Sequence, residues 1–150
     1  MTKTAAEIQK ERTREIEEKA VQLLEKCAAV TLASINEQGY PRICVVTKLK
    51  ANGFSEIYFE TSKRSPYHGK ATHFENNTKA SVCYHLGGDS VTLIGDVEII
   101  RDMAEKEAFA SLCNPQFFKK GVADPRHVLL RFRAIEATFW IEGKFRTCRY

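Results

Sequence analysis

Two periodicities alternate along this chain, and the switches between them mark its elements. Over residues 4–27, Ile16, Ala20, Leu23, Leu24 and Cys27 recur at helical spacing and form one apolar stripe. Thr4 followed by Glu7 is a capping-box pattern, and Glu15 with Lys19 is a favourable i,i+4 pair. An amphipathic helix is predicted there, either packed on its own domain or serving as a dimer arm. From Ala28 the period falls to two. Segments 28–35, 42–49, 56–61, 80–86, 90–101 and 128–141 are rich in β-branched and aromatic residues and read as strands. Turn chemistry separates them: Asn36 to Pro41, Asn52-Gly53 and Gly87-Gly88-Asp89. Gly95, inside the fifth strand, predicts a bulge or sharp bend. Residues 62–78 lose the alternation and read as loop plus helix, with Pro66 in the first turn and Asn76-Asn77 at the end. Asp102 is the expected N-cap of a short helix over 102–113, and 114–127 is a basic connector. Six strands, a long early helix and two short ones predict a mainly β fold, a small antiparallel barrel with flanking helices.

Composition narrows the class. The chain has 150 residues, 43% hydrophobic and 28% charged, the profile of a globular protein. One domain over residues 1–150 is expected, with residues 1–27 its N-terminal helix. No apolar run approaches the ~18 residues of a membrane span, and the charged first 25 residues hold no signal-peptide core, so a cytoplasmic location is expected. The cysteines, Cys27, Cys44, Cys83, Cys113 and Cys148, are odd in number and lack C-x-x-C spacing, which predicts reduced thiols. Cys83 and His85 would share a strand face, but no second ligand pair accompanies them and no metal is expected.

Charge points to the chemistry. The net charge is +4, yet residues 61–80 alone set Lys63, Arg64, Lys70 and Lys79 against Glu75, net +3. That excess follows the hydroxyls of Thr61 and Ser62 at a strand end, with His68 and a helix start close behind. Hydroxyls, fixed cations and a helix start are what a phosphate group requires. Arg42, leading the second strand, is placed to reach the same site. Neither a phosphate-binding G-x-x-x-x-G-K-[ST] loop, nor G-x-G-x-x-G, nor G-x-S-x-G occurs. Cys44, His85 and an Asp can be assembled into a triad only on paper, and no catalytic residue is assigned.

In order, the chain reads as helix, Gly-x-Pro hairpin, Arg-led strand, strand ending in Thr-Ser, Lys-bearing helix and Asn-Asn before a strand. The segments Val30 to Ser34, Gly39 to Arg42, Tyr58 to Ser62, Gly69 to Ala71, Glu75 to Asn77 and Leu93 to Glu98 carry a resemblance. The chain resembles the pyridoxamine 5'-phosphate oxidase-like family of FMN-binding split barrels, and within it the small general-stress-protein-type members. The resemblance implies a six-stranded antiparallel Greek-key split barrel that forms a homodimer with FMN in the clefts between subunits. It implies that Arg42 and Lys70 meet the FMN phosphate, and that Thr61 and Ser62 bind phosphate or ribityl oxygens. Cys44, Val45, Val46 and Thr47 would run beside the isoalloxazine ring. Ser90 stands where relatives often carry Gln, and Trp140 would approach the partner's flavin. Thr47 stands where the oxidase carries a Lys, and the C-terminal segment lacks the oxidase's His, so pyridoxamine-phosphate oxidation is not expected.

The leading expectation is therefore an FMN-dependent oxidoreductase acting on a small molecule, with NAD(P)H a candidate donor. A second is a non-catalytic flavin or haem binder on the same fold, with His85 as candidate axial ligand. A third is a basic barrel for single-stranded nucleic acid, since residues 119–149 hold eight basic and three acidic side chains. Phe132, Phe139, Trp140 and Phe145 would stack on bases. This last leaves the Thr-Ser and Lys arrangement unexplained.

Overall fold

Helix α1 spans Ala5–Glu25 and starts as expected: Thr4 Oγ1 accepts from Glu7 N, and the Glu7 carboxylate accepts from Thr4 N. Its stripe of Ile16, Ala20, Leu23 and Leu24 is buried. Lys19 reaches Glu142 at 2.7 Å, a partner far along the chain, where the expected one was Glu15. The computed structural model describes residues 2–63 and 69–150. Arg64, Pro66 and His68 of the expected phosphate segment lie outside the described residues.

The strands are β1 (Ala29–Ile35), β2 (Pro41–Asn52), β3 (Glu56–Ser62), β4 (Lys79–Leu86), β5 (Asp89–Ile100), β6 (His127–Ile141) and β7 (Lys144–Arg149). Helix α2 is Lys70–Asn76 and α3 is Met103–Glu107, the latter capped by the Asp102 side chain. All neighbouring strands pair antiparallel in the order β3-β2-β1-β4-β5-β6-β7, and a further β3–β6 pairing closes β1 to β6 into a barrel. The six-stranded barrel is as expected; β7 is an addition. It is a hairpin partner of β6 across Glu142-Gly143, whose φ values of 51° and 74° fit a type I′ turn.

Alternation sorts side chains into two layers. Leu32, Val82, Leu93 and Ala137 stand in one row across β1, β4, β5 and β6 and are fully buried. With Phe59, Phe132 and Phe139 they fill the barrel, and α1 closes one end: Tyr84 Oη donates to Ala20 O at 2.8 Å. At Gly95 the β5–β6 register shifts, and a Cβ there would lie 1.9 Å from Arg133 O. A smaller core of Tyr58, Ile100, Phe109 and Leu129 lies where the connector to β6 covers the outside of the barrel.

Candidate functional site

Helix α2 packs against β1, β3 and β5 and delivers its first residue to the barrel rim. Lys70 is only 7% exposed. Its Nζ donates to Ser34 Oγ at 2.7 Å and to the Arg42 carbonyl. Ser34 Oγ also lies 2.7 Å from His73 Nδ1, so Lys70, Ser34 and His73 form one hydrogen-bonded chain. The register explains the meeting: Arg42 stands opposite Ser34, and Ser34 opposite Ala80. Burial, with the nearby Arg42 charge adding to it and Cys44 opposing, lowers the Lys70 pKa. Burial raises that of Cys44, against the pull of Lys70. Among the described residues no carboxylate lies within salt-bridge distance of Lys70 or Arg42. Two cations therefore share one rim with no carboxylate partner among the described residues, an arrangement that favours an anion.

The other expected residues divide. On β2, Cys44 is half-buried and Val46 points into the core, whereas Val45 and Thr47 face outward. Strand pleat makes this split unavoidable: only alternate side chains of residues 44–47 share a face. Thr61 and Ser62 are half-buried at the end of β3, opposite Val128 and His127. Ser90 and Trp140 stand directly opposite one another, in a row that runs from His85 to Ser90, Trp140 and Phe145. Five residue steps along β4 lead from Ala80 to that row, about 17 Å. Within one chain the Arg42–Lys70 rim and the Ser90–Trp140 row are thus separate clusters.

Sequence reading missed Ser34 and His73. Two signals were available: Ser34 continues the inward series Val30, Leu32 as a polar residue, and His73 follows Lys70 at i+3, on the same helix face. One part of the nucleic-acid expectation is corrected here, the stacking role of Phe132 and Phe139. Phe132 and Phe139 are 0% exposed, packed inside the barrel, and cannot stack on bases. Of the four proposed aromatics, Trp140 and Phe145 are exposed.

Comparison with known proteins decides the family. The family model described as Pyridoxamine 5'-phosphate oxidase matches residues 16–141. The chain belongs to that family. Among solved structures, a protein related to general stress protein 26 from Clostridium acetobutylicum is 23% identical, with TM-score 0.78 over 90% of this chain and 94% of that one. General Stress Protein 26 from Bacillus anthracis is 19% identical, with TM-score 0.71 over 91% and 99%. A heme binding protein from Mycobacterium smegmatis is 15% identical, with TM-score 0.69 over 89% of this chain and 57% of that one. At these identities the solved structures speak for the shared fold. No curated protein matches the sequence. No described helix is long and apolar enough to cross a membrane.

Proposed function

We propose that this family member binds FMN as a homodimer and acts as an FMN-dependent oxidoreductase on a small molecule. The observation that carries the reading is the buried Lys70 beside Arg42, two cations with no carboxylate partner among the described residues. Lys70 is held in place by Ser34 and the Arg42 carbonyl, so it meets an incoming phosphate without first losing rotamer freedom. Arg42 is exposed and adds a second, fixed charge. Thr61 and Ser62 supply strand-end hydroxyls for phosphate or ribityl oxygens. When bound, FMN supplies the redox chemistry, with a reduced nicotinamide as candidate donor. The chain's task would be to orient the ring: the backbone of Cys44 to Thr47 would run beside it, and the hydroxyls of Thr47 and Ser90 would serve as polar contacts.

Homodimerisation is supported by the outer sheet face. Ile43, Ala33, Ser81 and Ile94 stand in one outward row across β2, β1, β4 and β5. Ile43 is 72% exposed and the neighbouring Val45 73%. A groove of about 270 Å³ on this face is lined by Ile35, Pro41, Ile94 and Ile135 together with the charged Lys79 and Asp96. A contiguous exposed apolar face of this kind calls for a partner surface. A second copy would also bring its Ser90–Trp140 row toward the Arg42–Lys70 rim, joining clusters that one chain keeps apart.

A non-catalytic haem binder on the same fold is the second reading, favoured by the exposed His85 at the head of the Trp140–Phe145 row. The absorption spectrum of purified protein, before and after addition of FMN or haemin, decides between them. A flavin spectrum with one FMN per chain is expected. A colourless protein that refuses added FMN overturns the proposal, and a haem band in its place favours the second reading.

A further inference from the structure

The connector between β5 and β6 folds over the outer face of β3 and β6. It brings three metal-binding side chains together under cover. Glu60 comes from β3, His127 opens β6, and Cys113 ends the first of the connector's two 3-10 turns, Ala110–Leu112. Antiparallel pairing sets Ser62 opposite His127 and Glu60 opposite Leu129, so Glu60 and His127 are diagonal neighbours. His127 Nε2 lies 3.0 Å from Glu60 Oε2, and both side chains are almost wholly buried. The other carboxylate oxygen, Oε1, accepts from Asn114 N at 3.3 Å, which ties the residue after Cys113 to Glu60. One donor atom from each of Glu60, Cys113 and His127 lies within 4.8 Å of the other two.

We propose that Glu60, Cys113 and His127 form a three-ligand site for a divalent transition-metal ion, with zinc favoured by the ligand set. One sulfur, one imidazole nitrogen and one carboxylate oxygen are the donor types that zinc takes. Tetrahedral geometry at zinc's usual bond lengths needs ligand atoms about 3.5 Å apart. The Glu60–His127 pair, at 3.0 Å, would open slightly, and the separations to Cys113, none above 4.8 Å, would close by roughly 1 Å at most through movement of Cys113 at the end of a short turn. Charge supports the same reading. A dication held by one carboxylate, one thiolate and one neutral imidazole is neutral overall, the condition under which ions are buried at low cost. The alternative is a buried Glu60–His127 pair with Cys113 merely adjacent. In that arrangement Glu60 is held by His127, Asn114 N and the Cys113 thiol, while the Lys106 ammonium donates to the His127 carbonyl at 3.3 Å and not to Glu60. Three protein ligands leave a fourth position, on the side of the half-buried Cys113, for water or a small donor.

The test uses the full chain, reduced, dialysed against zinc alone and then against cobalt alone. One zinc per chain is expected, and cobalt should give a thiolate-to-metal charge-transfer band in a difference spectrum, which removes any flavin contribution. Cys113→Ser should abolish the band and weaken zinc binding by more than the ~10–100-fold that losing a supporting contact costs. Cys83→Ser, which removes the thiol nearest in sequence to His85, should change neither. Glu60→Gln, which retains an oxygen for Asn114 N, provides a second variant should Cys113→Ser melt early. Absence of bound zinc, or a cobalt band that survives Cys113→Ser, overturns the site.

Discussion

Burying an ammonium group costs free energy unless something in the site returns it, and Lys70 is buried among neutral partners with Arg42 alongside. Burial and that neighbouring cation both lower its pKa from the ordinary 10.5. A bound phosphate needs Lys70 protonated, so FMN binding takes up or retains that proton. Affinity should therefore fall as pH rises through the lowered Lys70 pKa, below 10.5, where an exposed lysine would still be charged. Binding isotherms at stepped pH measure this. Lys70→Met should bind FMN about 10–100-fold more weakly near neutral pH, the value of a charge-assisted hydrogen bond, and show no such alkaline decline. Lys70 and Arg42 were legible in the sequence because cations cluster visibly. Ser34 and His73 were not, because they act through Lys70 and neither is unusual in composition. Glu60, Cys113 and His127 lie 53 and 14 positions apart in the chain, so only the closing β3–β6 pairing and the folded connector bring them together.

Element by element, period-two alternation located β1 to β6, because these strands bury one face and its pattern is written in the side chains. Strand β7 was missed for the converse reason: Lys144 to Arg149 has no fully buried residue, and its place depends on partners. Arg146 Nη2 donates to Gln9 Oε1 of α1 at 2.6 Å, and Asp89 Oδ1 accepts from Glu142 N at 2.9 Å beside the turn. Gly143, with positive φ after Glu142, was the available signal. Gly95 was read as a bulge, and the structure gives the reason: the Arg133 carbonyl of β6 occupies the space of a side chain. Gly95→Ala should destabilise the fold by about 1–3 kcal/mol, the usual cost of overpacking, since the clash is with backbone. Denaturant unfolding monitored by circular dichroism checks this, and wild-type stability in the variant would show that the bulge relaxes freely.

At the scale of the whole molecule, the +4 charge of the sequence meant little until it was located; of the described cations in residues 61–80 the fold buries Lys70, beside Arg42. On the proposed reading, a second copy would bring its Ser90–Trp140 row to the Arg42–Lys70 rim. Val45→Glu places a charge in the exposed apolar face and should yield a folded monomer by sedimentation equilibrium, with FMN affinity reduced at least about tenfold. A dimer that survives with full affinity would move the interface elsewhere. The account's central claim is that the Lys70 rim holds a phosphate. It is tested most directly by titrating the wild type and Lys70→Met with FMN and with riboflavin, which lacks only that phosphate. The account predicts that wild type prefers FMN by about tenfold or more and that Lys70→Met erases most of the preference. Equal binding of the two flavins by wild type, or an undiminished preference in Lys70→Met, would contradict it.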